Sequence, residues 1–304
     1  MVFLLGCAAL AAQSGAPRSP APFASPLFDA HNCYPYEGQH KDRIDRALAT
    51  GFPVAIEQDI GLFQGEAVVT HTEKTTGSEP TLRQHFFERV RPIVEKALKE
   101  NNRGQWPIIV LHFDFKDLRP ETLHAVWKVL SEYEPWLATG TKTADPARLS
   151  EIDMKPVLVL TEEADEQEAV FYGEVPVGGR LRVFGSAHTK GLTARASNYR
   201  RWLNYSWREI EPEGQPRAVA WTPAKQARLD EMVRNAHGLG YWMRFYTLDG
   251  YTQAENQGWF DTYNFPSREA AEIRWNAALQ AGVDLIASDQ YEVLSAFMKA
   301  RRKK

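Results

Sequence analysis

Short apolar runs of strand length recur along the chain, and longer segments with a single apolar face stand between them. The runs read as strands at Leu27–Ala30, Val54–Ile56, Pro107–Leu111, Val157–Leu160, Leu181–Gly185, Ala218–Trp221, Trp242–Thr247 and Val283–Ala287. Helices are expected over Leu82–Asn101, with Phe86, Val90, Ile93, Val94, Ala97 and Leu98 on one face, and over Leu118–Tyr133 and Thr222–His237. A further helix over Ser267–Ala281 has a serine cap and a glycine stop. Strand followed by helix, repeated, argues for a parallel sheet. Eight such units make a closed (β/α)8 barrel of the TIM type, with its site at the carboxyl ends of the strands.

Composition agrees with one such domain. At 304 residues and 43% hydrophobic content, the chain can bury a large core. Its 36 basic against 39 acidic residues give a net charge of −3, which argues against a nucleic-acid partner. No feature calls for an obligate protein partner. Residues Met1 to Ala12 form an apolar run ending in small residues, and Gln13 to Pro26 are rich in Ser, Ala and Pro. Residues 1–26 therefore read as a signal-like segment and linker, 27–304 as the barrel, and the protein is expected to be secreted or periplasmic. The run is too short to span a bilayer. Leu4-Leu5-Gly6-Cys7 also has some likeness to a lipoprotein cleavage box, a reading ranked below plain secretion. Only Cys7 and Cys33 are present, so there is neither a disulfide framework nor a thiol zinc site.

Residues able to do chemistry crowd the stretch from Phe28 to His71. His31 and Asn32 follow the first strand. Glu57 and Asp59 continue the second, where strand alternation puts them on one face about 7 Å apart. Val68-Val69 reads as a further strand, parallel to its neighbours, whose end would bring His71 to the same mouth. Asp114 and Lys116 share a face at the end of the third strand, and His112 alternates with them. Taken alone, each has a bland reading: a histidine after a strand is usually packed or solvated, and Glu-x-Asp is common on amphipathic strands. Together they suit one hard divalent cation, Ca²⁺ or Mg²⁺, flanked by two proton carriers. His112, Lys190, Arg244 and Tyr246 are candidate substrate contacts. The aromatics of ASNYRRWLNYSW, and Trp259, Tyr263 and Phe265, read as packing over the barrel mouth, with a pocket rim as the alternative.

At these residues the chain resembles the superfamily of barrel phosphodiesterases that includes glycerophosphodiester phosphodiesterases and phosphatidylinositol-specific phospholipases C. IEQDI followed by GEAVVTH is similar to the glutamate-x-aspartate strand and second catalytic histidine of the former. His31-Asn32 followed by Tyr34 is similar to the calcium-dependent phospholipases, whose first histidine precedes a metal-binding asparagine. The arginine and E-N-T stretch of glycerophosphodiesterases are not present, and the H-N-x-Y opening resembles most closely the altered-inheritance-of-mitochondria-6-like branch. The closing AGVDLIASD is similar to a family segment whose acids, here Asp284 and Asp289, are structural. The resemblance implies metal-dependent phosphodiester cleavage. In it, His31 and His71 are acid and base, Lys116 meets the phosphate, and Glu57, Asp59, Asp114 and Asn32 ligate the metal. Where Asp114 stands, the family carries glutamate. The implied substrate is a glycerophosphodiester or a lipid head group, the latter with peripheral membrane contact. Attack by water gives hydrolysis, and attack by a neighbouring substrate hydroxyl gives a cyclic phosphate. A phospholipase D-like or sphingomyelinase-like lyase, or a non-catalytic metal- or phosphate-binding module, are the alternatives on the same barrel.

Overall fold

The computed structural model describes residues 19–36, 38–218, 220–252, 255 and 261–302. The signal-like run with Cys7, and Trp259, lie outside the described residues. The strands, in chain order, are β1 (Leu27–Ala30), β2 (Val54–Phe63), β3 (Glu66–Val69), β4 (Ile109–Phe115), β5 (Gly140–Thr141), β6 (Val157–Thr161), β7 (Arg180–Leu181), β8 (Val183–Ser186), β9 (Arg200–Ser206), β10 (Trp242–Tyr246) and β11 (Leu285–Ser288). The helices are α1 (Arg43–Ala49), α2 (Glu88–Glu100), α3 (Pro120–Glu132), α4 (Asp165–Glu168), α5 (Pro223–Leu239), α6 (Arg268–Ala281) and α7 (Tyr291–Arg302).

Eight strands, β1, β2, β4, β6, β8, β9, β10 and β11, pair in parallel in that order, and β11 pairs back onto β1. The fold is a closed (β/α)8 barrel. Strands covered on both faces can be apolar throughout, and Ile109, Val110 and Leu111 of β4 are fully buried. Helix ends follow the local chemistry. Thr222 and Ser267 cap α5 and α6 by accepting from the N–H groups of Lys225 and Ala270, and Gly240 and Gly282 end them at φ +91° and +85°.

Two expectations are corrected. The sixth barrel strand is Arg200–Ser206, and Ala218, Ala220 and Trp221 lie outside any strand. Charge disguised β9. Arg200 reaches Asp165 and Glu168, while Trp202 of the same strand is fully buried with its indole N–H on the Thr161 and Phe184 carbonyls. Val68-Val69 belongs to an antiparallel hairpin and not to a parallel strand. β2 runs on through Gly61, turns at Gln64-Gly65 with φ +48° and +83°, and returns as β3 with Ile60 opposite Val69. A Cβ at Gly61 would stand 2.7 Å from Thr70 Cγ2, so glycine lets the strand pass there. The return still brings His71 to the mouth, because the Thr70 N–H donates to the Asp59 carbonyl at 2.9 Å.

Alternation sends Gln58, between Glu57 and Asp59, to the outer face of β2, where it meets the helical turn leading into α2. Its amide nitrogen donates to the Cys33 and Glu57 carbonyls, so its oxygen accepts from buried His85 Nδ1 at 2.6 Å. Burial, with Arg89 next, lowers the His85 pKa to about 3. The unfolded chain takes up this proton near pH 6.5 and the folded chain does not, so stability falls as pH drops below about 6.5. The contribution approaches about 1.4 kcal/mol per pH unit. Urea denaturation of His85→Gln between pH 6.5 and 5 is expected to show a flatter acid limb than the wild type. Equal slopes would contradict the assignment.

Candidate active site

Strand register assembles the site. Glu57 lies opposite His112 and Asp59 opposite Asp114 across β2 and β4. Paired residues of parallel strands face one way, so all four, and Lys116 two residues on, turn into the mouth. Arg244 and Asn204 are opposite one another across β10 and β9. With His31 and Asn32 after β1 and His71 after the hairpin, they line a cavity of about 330 Å³, together with Tyr34, Glu162, Tyr246 and Tyr263.

The carboxylates are crowded. Glu57, Asp59 and Asp114 present ligand oxygens within 4.8 Å of one another. Asp59 is 1% exposed, and neither of its oxygens accepts a hydrogen bond of good geometry. Lys116 Nζ stands between two of the acids, 2.7 Å from Asp114 Oδ2 and 3.0 Å from Asp59 Oδ2. Burial first, and then the charge of Asp114, push the Asp59 pKa well above the usual carboxylate range despite that lysine. Burial would raise Glu57 as well, but His31 and Arg244 hold it below that range. Two buried carboxylates and a partly exposed third, hard oxygen donors that repel one another at this spacing, fit a divalent cation such as Mg²⁺ or Ca²⁺.

The two histidines differ in setting. His31 Nδ1 lies 2.8 Å from Asp289 Oδ1, and Asp289 also accepts from Asn32 Nδ2 at 3.1 Å and Arg43 Nη1 at 3.2 Å. That leaves Nε2 of His31 as the nitrogen available to a substrate. Burial alone would lower the His31 pKa, yet Glu57 and Asp289 together raise it to about 9. His71 is lowered by burial and then by Lys116, and its Nε2 lies 3.9 Å from Asp59 Oδ2. Its ring stacks on Tyr34 with centroids 5.8 Å apart. Asn32 adopts the left-handed region at φ +51°, where its Oδ1 accepts from the Tyr34 hydroxyl at 2.7 Å.

His31, Asn32, Glu57, Asp59, His71, His112, Asp114, Lys116, Arg244 and Tyr246 thus share one cavity, as their strand positions suggest. Lys190 does not join them. It is exposed, four residues past the end of β8, where alternation no longer aims a side chain. Arg244 lines the floor, but its guanidinium is bound to Asp29, Glu57 and Asn204. His112 Nε2 pairs with Glu162 Oε1 at 2.6 Å, and Glu162 also accepts from Asn204 at 2.9 Å. Sequence reasoning missed Glu162 and Asn204; Asp289, expected to be structural, braces His31. Glu162 was signalled by its place two residues beyond Leu160 on the β6 alternation. Asn204 lies on β9, whose charged and polar residues give no strand-like apolar run.

Removing Arg244 leaves Asp29 and Glu57 buried without their shared cation. Arg244→Met is expected to cost about 3–5 kcal/mol in urea denaturation. A cost below about 1 kcal/mol, the size typical of an exposed pair, would show that these charges are not held as described.

No family model and no curated protein matches the chain. Two crystal structures from Parabacteroides distasonis ATCC 8503 are similar to it. One, a glycerophosphoryl diester phosphodiesterase, is 12% identical with a TM-score of 0.47, over 92% of this chain and 88% of that one. The other, a glycerophosphodiester phosphodiesterase, is 11% identical with a TM-score of 0.49, over 91% of this chain and 98% of that one. At this degree of likeness the chemistry rests on the geometry of the present chain.

Proposed function

We propose that this protein is a metal-dependent phosphodiesterase. The observation that carries the reading is the cavity at the barrel mouth, where two histidines and a lysine face three close carboxylates. Glu57, Asp59 and Asp114, with Asn32 beside them, would hold one divalent cation, Ca²⁺ or Mg²⁺. An ion held there would supply Lewis-acid polarisation of a phosphoryl oxygen and offset the negative charge of the diester. His31, braced through Nδ1 by Asp289, exchanges a proton with one ester oxygen through Nε2, and His71 makes the complementary transfer. Lys116 places an ammonium where charge grows on the phosphoryl oxygens. His112, held by Glu162, and Tyr246, whose ring lies 5.8 Å from that of His31, shape the bed for the rest of the substrate.

The substrate class is a glycerophosphodiester or a phosphoinositide-type head group, cleaved by water or by a neighbouring hydroxyl. No helix among the described residues is long and apolar enough to cross a membrane. The test is release of nitrophenol from bis-p-nitrophenyl phosphate, and of free alcohol from glycerophosphodiesters, with Mg²⁺, Ca²⁺ or Mn²⁺ supplied in turn. Turnover with at least one cation is expected. A protein inert toward every diester with every cation is not a phosphodiesterase.

A further inference from the structure

Asp249, on the loop after β10, is fully buried and is not among the residues that line the mouth. Its Oδ1 accepts from the Ser288 hydroxyl at 2.5 Å and from the Asp289 N–H at 2.7 Å. Its Oδ2 is buried without a hydrogen-bond partner among the described residues. Asp249, Asp289 and His31 bring one ligand atom each within 4.8 Å of the others. Two buried carboxylates this close are costly, so the second calls for a reason.

A cation is not that reason. Asp289 faces His31 Nδ1 and already accepts from Asn32 and Arg43, and Asp249 Oδ1 is taken by two donors. The contacts of Asp249 instead describe a brace. The peptide groups of Asp289 are held at both ends, the N–H by Asp249 and the carbonyl by the Tyr251 hydroxyl at 2.9 Å. The loop that carries both residues is fixed in turn. The Gly250 N–H donates to Gln290 Oε1 at 2.7 Å, and a Cβ on Gly250 would stand 2.8 Å from the Ala271 Cβ and from the Ser267 carbonyl at the start of α6. The backbone of Asp249 also fixes an aromatic neighbour of the imidazole. Its N–H donates to the Tyr263 carbonyl at 3.4 Å and its carbonyl accepts from the Phe265 N–H at 2.8 Å, while the Tyr263 ring lies 5.7 Å from that of His31.

We infer that Asp249 is a positioning residue for His31, holding the Asp289 carboxylate and the Tyr263 segment so that the imidazole keeps Nε2 on the mouth. The inference rests on the phosphodiesterase reading for its kinetic consequence alone. Two variants separate the accepting oxygen from the side chain as a whole: Asp249→Asn keeps an acceptor and Asp249→Ala removes it. The first readout is exchange of the His31 Nδ1–H in metal-free protein labelled with ¹⁵N-histidine, the signal being assigned by its loss in His31→Ala. Exchange is expected to be at least about ten-fold faster in Asp249→Ala and near the wild-type rate in Asp249→Asn. The second readout is cleavage of bis-p-nitrophenyl phosphate. Asp249→Ala should lose about ten- to a hundred-fold in kcat with KM little changed, because a misplaced proton carrier fails only in the transition state. Asp249→Asn should recover kcat to within about five-fold of the wild type.

Should Asp249→Ala not fold, Ser288→Ala breaks one of the two bonds to the same oxygen and is expected to speed exchange by about five-fold. A folded Asp249→Ala or Ser288→Ala protein that unfolds at a lower temperature but matches the wild type in exchange and kcat overturns the inference. So does an Asp249→Asn protein as impaired as Asp249→Ala. A wild type inert toward every diester ends the phosphodiesterase reading, and the exchange rates then decide the placement of the ring.

Discussion

Replacing His31 by alanine is expected to lower kcat/KM for a phosphodiester by about 10³-fold, within the range measured for loss of a positioned acid or base. The argument begins with the ring. Asp289 fixes Nδ1 at 2.8 Å, and Asp289 is itself held by Asn32, Arg43 and the N–H it donates to Asp249. The imidazole therefore needs no reorganisation to offer Nε2 at the mouth, and alanine supplies no replacement. Asp289→Asn should show a smaller loss, because the ring remains while its bracing carboxylate is gone. A His31→Ala protein within about ten-fold of wild type would remove His31 from the proton transfer, since even the weakest such groups contribute about 10².

The second large effect concerns Asp59. Its carboxylate is buried against those of Asp114 and Glu57, and repulsion from them adds to the burial that raises its pKa. Metal-free Asp59→Asn should therefore unfold at a higher denaturant concentration than metal-free wild type, because the most buried member of a repelling carboxylate set has lost its charge. A cation reverses the order. At 100 times its dissociation constant, a ligand that binds only the folded state stabilises it by about 2.7 kcal/mol. The wild type should show a gain of that size with Mg²⁺ or Ca²⁺, and Asp59→Asn much less at the same concentration. Equal gains in the two proteins would place the ion elsewhere.

What could be read in the chain follows from how locally it is encoded. β4 was legible because Ile109, Val110 and Leu111 are apolar on both faces, and α6 because serine and glycine mark its ends. β9 was not, since Arg200, Arg201 and Asn204 give a central strand a polar surface whose partners lie on other elements. The Gln64-Gly65 turn carried a hairpin signal, but Gly61 suggested a shorter strand and obscured it. Within the site, pairs on one strand, Glu57 with Asp59 and Asp114 with Lys116, follow from the two-residue period. Contacts made by closing the barrel do not. His31 meets Asp289 across 258 residues, and Arg244 meets Asp29 across 215, because β1, β10 and β11 become neighbours only when the ring is shut. His85 shows the same limit at short range: the amphipathic pattern of its segment gave no sign that it would bond Gln58 on the outer face of β2.

The most direct test is hydrolysis of bis-p-nitrophenyl phosphate by wild type and Asp59→Asn side by side, first stripped with chelator and then resupplied with Mg²⁺ or Ca²⁺. The predicted result is no turnover in either stripped protein, recovery in the wild type on adding a cation, and little recovery in Asp59→Asn. Full turnover in chelator, or an Asp59→Asn protein as active as the wild type, would contradict a cation held by the carboxylates at the barrel mouth.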